Sequence, residues 1–172
     1  MGALLDLIDF PKLRRAVLYL LVLAGAFLLQ NLVGSRVLLF GVKALYMPAL
    51  VVAIGFFQGG VWGAVIGLAA GYFCDLGFSE NTVLFLLLFP AVGYFSGVVG
   101  KYYFHKAYGG YLVLAVAALL LTGGCQMFRA WFFNGAALPA VLRVELLQTL
   151  RTLPFTIPAF FVCRLIAGRD ID

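Results

Sequence analysis

Charge is what this sequence has least of: only 11% of its 172 residues are Asp, Glu, Lys or Arg. A soluble domain needs roughly 25% charged residues to cover its surface, so a water-soluble globule is excluded. Disorder is excluded on the opposite ground, because disordered chains are poor in apolar and aromatic residues, which here make up 65% and 16% of the chain. Histidine is nearly missing. His105 is the single one, in the charged stretch between Lys101 and Lys106, away from where intramembrane serine hydrolysis would need a buried general base. The segment Gly93-Tyr94-Phe95-Ser96-Gly97 is not a GxSxG elbow. Cys74, Cys125 and Cys163 are odd in number, far apart and set in or beside apolar runs, so neither a disulfide framework nor a CxxC metal site is expected. They read as inert thiols packed like small hydrophobes.

Acids at membrane depth are equally scarce. An aspartyl pair requires two carboxylates in one site, yet Asp75 and Glu145 map to the ends of different spans. No glycine loop followed by Lys-Ser/Thr offers a phosphate cradle. The expectation is a protein with no catalytic residues, no metal and no cofactor. The net charge of +5 comes from dispersed cations, with no Lys/Arg cluster interleaved with aromatics. Nucleic acid is therefore not an expected partner, and the excess reads as membrane-side charge.

What the chain does have is long apolar runs, with a mean hydropathy of +1.09. A spanning helix takes about 20 residues, so the length accommodates about six with short connections. The expected fold is all-α, a single integral membrane domain over 1–172, with spans near 16–33, 46–57, 60–76, 82–99, 110–132 and 145–166. Ala24-Gly25-Ala26 resembles a signal-peptide cleavage site, but the apolar run continues beyond it, so the first segment reads as an uncleaved span. With the N-terminus inside, the cytoplasmic segments collect Lys12, Arg14, Arg15, Lys101, Lys106, Arg164 and Arg169. The outer loops hold Arg36, Lys43, Arg129 and Arg143. This bias predicts cytoplasmic N- and C-termini.

The third span carries the most informative pattern. At 100° per residue, Gly60, Gly63, Ala64, Gly67, Gly71 and Asp75 share one helical face. Each glycine weakens a helix by roughly 1 kcal/mol relative to alanine in water, so a stripe of them marks close backbone packing, the means by which helices gain contact in lipid. Gly93, Ser96, Gly97 and Gly100 on the fourth span offer a mate, with Pro90 as a kink; the sharper alternative is a helix of another protein. Asp75 stands near a helix C-terminus, where a carboxylate opposes the macrodipole. It calls for water or for a cation such as Lys43, Arg129 or Arg151. On the sixth span Glu145, Gln148, Thr149, Thr152 and Thr156 form a polar stripe that should face other helices or a wet cavity. Arg151 projects elsewhere and can snorkel. The candidate packing or partner-binding residues are Gly60, Gly63, Gly67, Gly71, Asp75, Gly93, Gly97, Glu145, Gln148 and Arg151.

A short span opening at Pro48, the G-x-x-G-A-x-x-G-x-x-x-G-x-x-x-D-L pattern from Gly60 to Leu76, and Gly93-Tyr94 in the next span resemble the rod-shape-determining MreD family. The length, the basic start and Gln30 are similar too. The family often has an acid after the proline, where this chain has Ala49. The resemblance implies a fold like the six-helix substrate-binding subunits of energy-coupling-factor transporters. It also implies a non-enzymatic bacterial inner-membrane subunit of the cell-wall elongation machinery. Its partners would be membrane lipids and a single-span MreC-like protein, alongside MreB, RodA and a class B penicillin-binding transpeptidase. The alternative keeps the architecture and makes the chain a vitamin-binding subunit, with Asp75, Glu145, Gln148 and Arg151 lining an outward cavity. The AxxxA docking face usual in the first span of such subunits is missing among Ala16, Ala24 and Ala26. A small secondary transporter is disfavoured because no internal repeat is evident.

Overall fold

A computed structural model describes residues 10–36, 45–77, 84–103, 107–135 and 137–168. Among them the chain is all-helical: α1 (Phe10–Arg36), α2 (Met47–Gln58), α3 (Gly60–Gly77), α4 (Leu84–Tyr102), α5 (Tyr108–Asn134) and α6 (Leu138–Gly168). Helices α1, α4, α5 and α6 are long and apolar enough to cross a membrane, while α2 and α3 are shorter apolar helices. The chain is an all-α, multi-pass membrane protein.

The architecture is five helices around one. Following contacts around the rim, α1 meets α3, α3 meets α4, α4 meets α5, α5 meets α6, and α6 returns to α1; α2 touches all five. Every residue of α2 from Met47 to Phe57 is buried. Twelve helical residues rise about 18 Å, so α2 covers only part of a hydrocarbon core of about 30 Å. The surrounding helices turn large apolar side chains outward, among them Leu21, Leu68, Leu87, Phe95 and Leu165, the inverse of a soluble surface and the expected one where lipid is the solvent.

Local chemistry sets the ends. Pro48 lies in the first turn of α2, where a missing N–H costs nothing. At the other end Gly59 adopts φ 95° and ψ 170°, a conformation open essentially to glycine alone. Its N–H closes α2 on the Gly55 carbonyl at 2.8 Å, and α3 starts at the next residue. Gly135 ends α5 in the left-handed region at φ 63°. The last helix begins at Leu138, ahead of the expected boundary near 145, because Pro139 is accommodated in its first turn.

Candidate functional site

The glycine face of α3 is filled by α4. A side chain on Gly63 would overlap the Gly93 carbonyl oxygen and come within 2.8 Å of Gly55 Cα; one on Gly93 would overlap the Gly63 carbonyl. Three backbones from α2, α3 and α4 thus meet at Gly55, Gly63 and Gly93. The antiparallel seam continues in both directions. A Cβ on Gly67 would fall 2.8 Å from the Phe89 carbonyl carbon and one on Gly71 2.8 Å from Leu86 Cα, while one on Gly97 would lie 2.6 Å from Gly60 Cα. Gly60 is covered by Tyr94, whose Cδ2 is 3.0 Å from the built Cβ. Ser96 Oγ, buried at the same seam, donates to the Gly93 carbonyl at 2.9 Å. Small residues let the helices approach until dispersion contacts replace lipid.

Asp75 completes the seam. Its carboxylate accepts hydrogen bonds from the backbone N–H groups of Phe85 at 3.3 Å and Leu86 at 2.9 Å. These are the second and third residues of α4, whose amides have no acceptor within their own helix. Where the sequence leaves water or a cation as the partner, the structure supplies two amides and the positive end of the neighbouring helix dipole. Lys43, one of the cations considered for Asp75, lies outside the described residues, as do His105, Lys106 and Arg169.

The polar face of α6 is divided. Thr152 and Thr156 are fully buried against the interior. Thr152 Oγ1 accepts from the Leu45 N–H at 3.3 Å and donates to the Gln148 carbonyl at 2.8 Å; the Tyr46 N–H is taken by Gln30 Oε1 at 3.1 Å. These two side chains, from α6 and α1, receive the amides just ahead of α2. The Thr156 hydroxyl shares a 3.0 Å hydrogen bond with Tyr108, and Tyr111 donates to the Ala49 carbonyl at 3.1 Å. At the far end of α2, Gln58 Nε2 donates to the Tyr19 hydroxyl at 2.8 Å. Sequence reasoning singled out Gln30 and Thr152 but missed Tyr19, Gln58, Tyr111 and Gly55. Tyr19, Gln58 and Tyr111 pair with positions far away in sequence, which no local pattern marks, whereas Gly55 continues the four-residue spacing of Gly59, Gly63, Gly67 and Gly71, a signal that could have found it.

Glu145 lies two turns beyond Thr152, half-buried, with its carboxylate resting on Gly123 of α5. Its Oε1 and the nearby helix's Gln126 Nε2 are buried without a hydrogen-bond partner among the described residues. Gln148 and Arg151 are half-buried along the same helix. The structure does not gather the two acids, since α3 and α6 make no contact among the described residues. Among those residues no group of three or more His, Cys, Asp or Glu is placed to hold a metal ion.

Beyond the clamped centre, the paired ends of α5 and α6 present an apolar surface. Phe128, Trp131, Phe132 and Phe133 on α5 and Leu142, Leu146 and Leu150 on α6 are exposed. Phe128 and Phe132 stack with centroids 5.6 Å apart. No family model, curated protein or solved structure matches this chain.

Proposed function

We propose that this chain is a non-enzymatic subunit of the MreD type, serving the bacterial cell-wall elongation machinery that maintains rod shape. In this reading it lies in the inner membrane with the Arg14, Lys101 and Arg164 end toward the cytoplasm. It holds the membrane segment of a single-span MreC-like protein and helps to position the RodA glycosyltransferase and a class B penicillin-binding transpeptidase near MreB filaments.

The observation that carries the reading is what the resemblance-bearing segments do. The Pro48 helix and the glycine pattern form the molecule's interior seam, an architectural use. Asp75, the one acid of that pattern, is engaged as a helix cap. With the glycine face occupied by α4, a partner helix is directed to the exposed end of the α5–α6 pair, next to Glu145 and its stripe.

The test is a photo-crosslinker at Phe132 or Leu146 in a tagged chain expressed in a rod-shaped bacterium, with recovery in mild detergent. A crosslinked single-span protein with a periplasmic domain, together with rounding of cells that lack the chain, supports the proposal. A tightly held vitamin-like small molecule, no crosslinked protein and unchanged cell shape overturn it in favour of the transporter-subunit alternative.

A further inference from the structure

The end of the bundle that carries Gly59 has a second feature that the seam does not explain. A cavity of about 650 Å³ opens between the close of α2, the start of α3 and the close of α4. It is lined by Phe56 and Val61 together with Gln58, Tyr94, Lys101 and Tyr102. Lys101 is exposed, its Nζ 5.7 Å from the centroid of the Tyr102 ring. Val61 is 72% exposed and Tyr94 46% exposed, so one side of the cavity continues onto the lipid-facing surface of α3 and α4.

Among the described residues the charge at this end is of one sign. Tyr19 meets Gln58 here, which places Arg14 and Arg15 just beyond, and Phe57 meets Phe160 at 5.2 Å, which places Arg164 one turn further along α6. The two acids among the described residues, Asp75 and Glu145, belong to the opposite end. A cation, an amide and two tyrosines lining one cavity with aromatic and aliphatic side chains, open sideways to lipid, match the junction of a phospholipid. Its phosphate would be taken by Lys101 and Gln58, and its glycerol and first methylenes by Phe56, Val61 and Tyr94.

We propose that this cavity is a binding site for the phosphate of an anionic phospholipid, entered from the bilayer along α3 and α4. The inference is independent of any role in cell-wall synthesis. It is tested on the full chain in detergent by native mass spectrometry and thermal unfolding, with phosphatidylglycerol, phosphatidylcholine or inorganic phosphate added. The wild type should retain phosphatidylglycerol in preference to phosphatidylcholine and be stabilised by it. Lys101→Gln should weaken retention about five-fold, the loss of one near-surface cation, and Lys101→Arg should restore it. Val98→Trp, which fills the cavity from α4, should lower retention of both lipids without changing the helical content. Equal retention by wild type and Lys101→Gln overturns the site. Stabilisation by inorganic phosphate matching that by phosphatidylglycerol overturns the lipid as its source.

Discussion

Gly63 of α3 and Gly93 of α4 stand so close that a side chain on either would occupy the space of the other's carbonyl. Because both obstacles are backbone, neither can swing aside, and the helices must separate to admit even a methyl group. The contact also includes Gly55 of α2, so separation there would be transmitted to the centre of the bundle.

Gly93→Ala should therefore lower the yield of folded protein and its thermal midpoint strongly, by an overpacking cost of about 1–3 kcal/mol, and Gly67→Leu should cost more. Gly25→Ala is the control, because nothing lies within 4 Å of a Cβ there. Fluorescence-detected size exclusion across a temperature series reads all three. Equal midpoints for Gly93→Ala and Gly25→Ala would refute the packing argument.

Gly123→Ala should be milder than Gly93→Ala even though its methyl also meets an obstacle. The obstacle is the end of the Glu145 side chain, which can rotate away. The double variant Gly123→Ala/Glu145→Ala should therefore show positive coupling in a double-mutant cycle, because the second change removes what the first collides with. Purely additive midpoints would place the carboxylate elsewhere.

Asp75→Ala should destabilise by about 0.5–2 kcal/mol, the usual cost of losing a helix cap, with Asp75→Asn intermediate because one amide oxygen still accepts. Hydrogen exchange at the Phe85 and Leu86 amides should accelerate in the alanine variant. Unchanged protection at these two amides would show that the carboxylate is not their acceptor.

Thr152→Val keeps the shape and removes the acceptor of the Leu45 N–H. A buried donor left without a partner costs about 1–3 kcal/mol, so this variant should unfold at lower temperature than Thr152→Ser, which preserves the oxygen. If valine and serine variants unfold together, the hydroxyl is not what holds the chain ahead of α2.

The sequence made the α3–α4 seam legible because glycine spacing is itself geometric. Gly60, Gly63, Gly67 and Gly71 repeat at helical intervals, and Gly93 and Gly97 repeat opposite them. Gly55 continues the four-residue spacing of Gly63, Gly67 and Gly71 across Gly59, but α2 is buried on all sides from Met47 to Phe57, so no contrast between faces marks which way it points. The acceptor role of Asp75 depends on the register at which α4 returns beside α3. Registers follow from the path of the intervening chain, so residue type alone left water or a cation as its partner. The hydrogen bond between Tyr19 and Gln58 joins positions far apart in sequence and similarly leaves no local trace. The threonine face of α6 was visible as a stripe, but its division into residues that clamp α2 and residues that face α5 depends on where α2 begins.

The enclosure of α2 bears on how the protein is made. A twelve-residue segment that reaches only partway through the hydrocarbon layer gains little from lipid by itself, and its ring includes α6, which follows the other described helices along the chain. Until α6 arrives, Leu45 lacks its hydroxyl acceptor and one wall of the central helix faces lipid. Enclosure of α2 therefore waits until α6 has been made, and a chain truncated before α6 should be a substrate for membrane quality control.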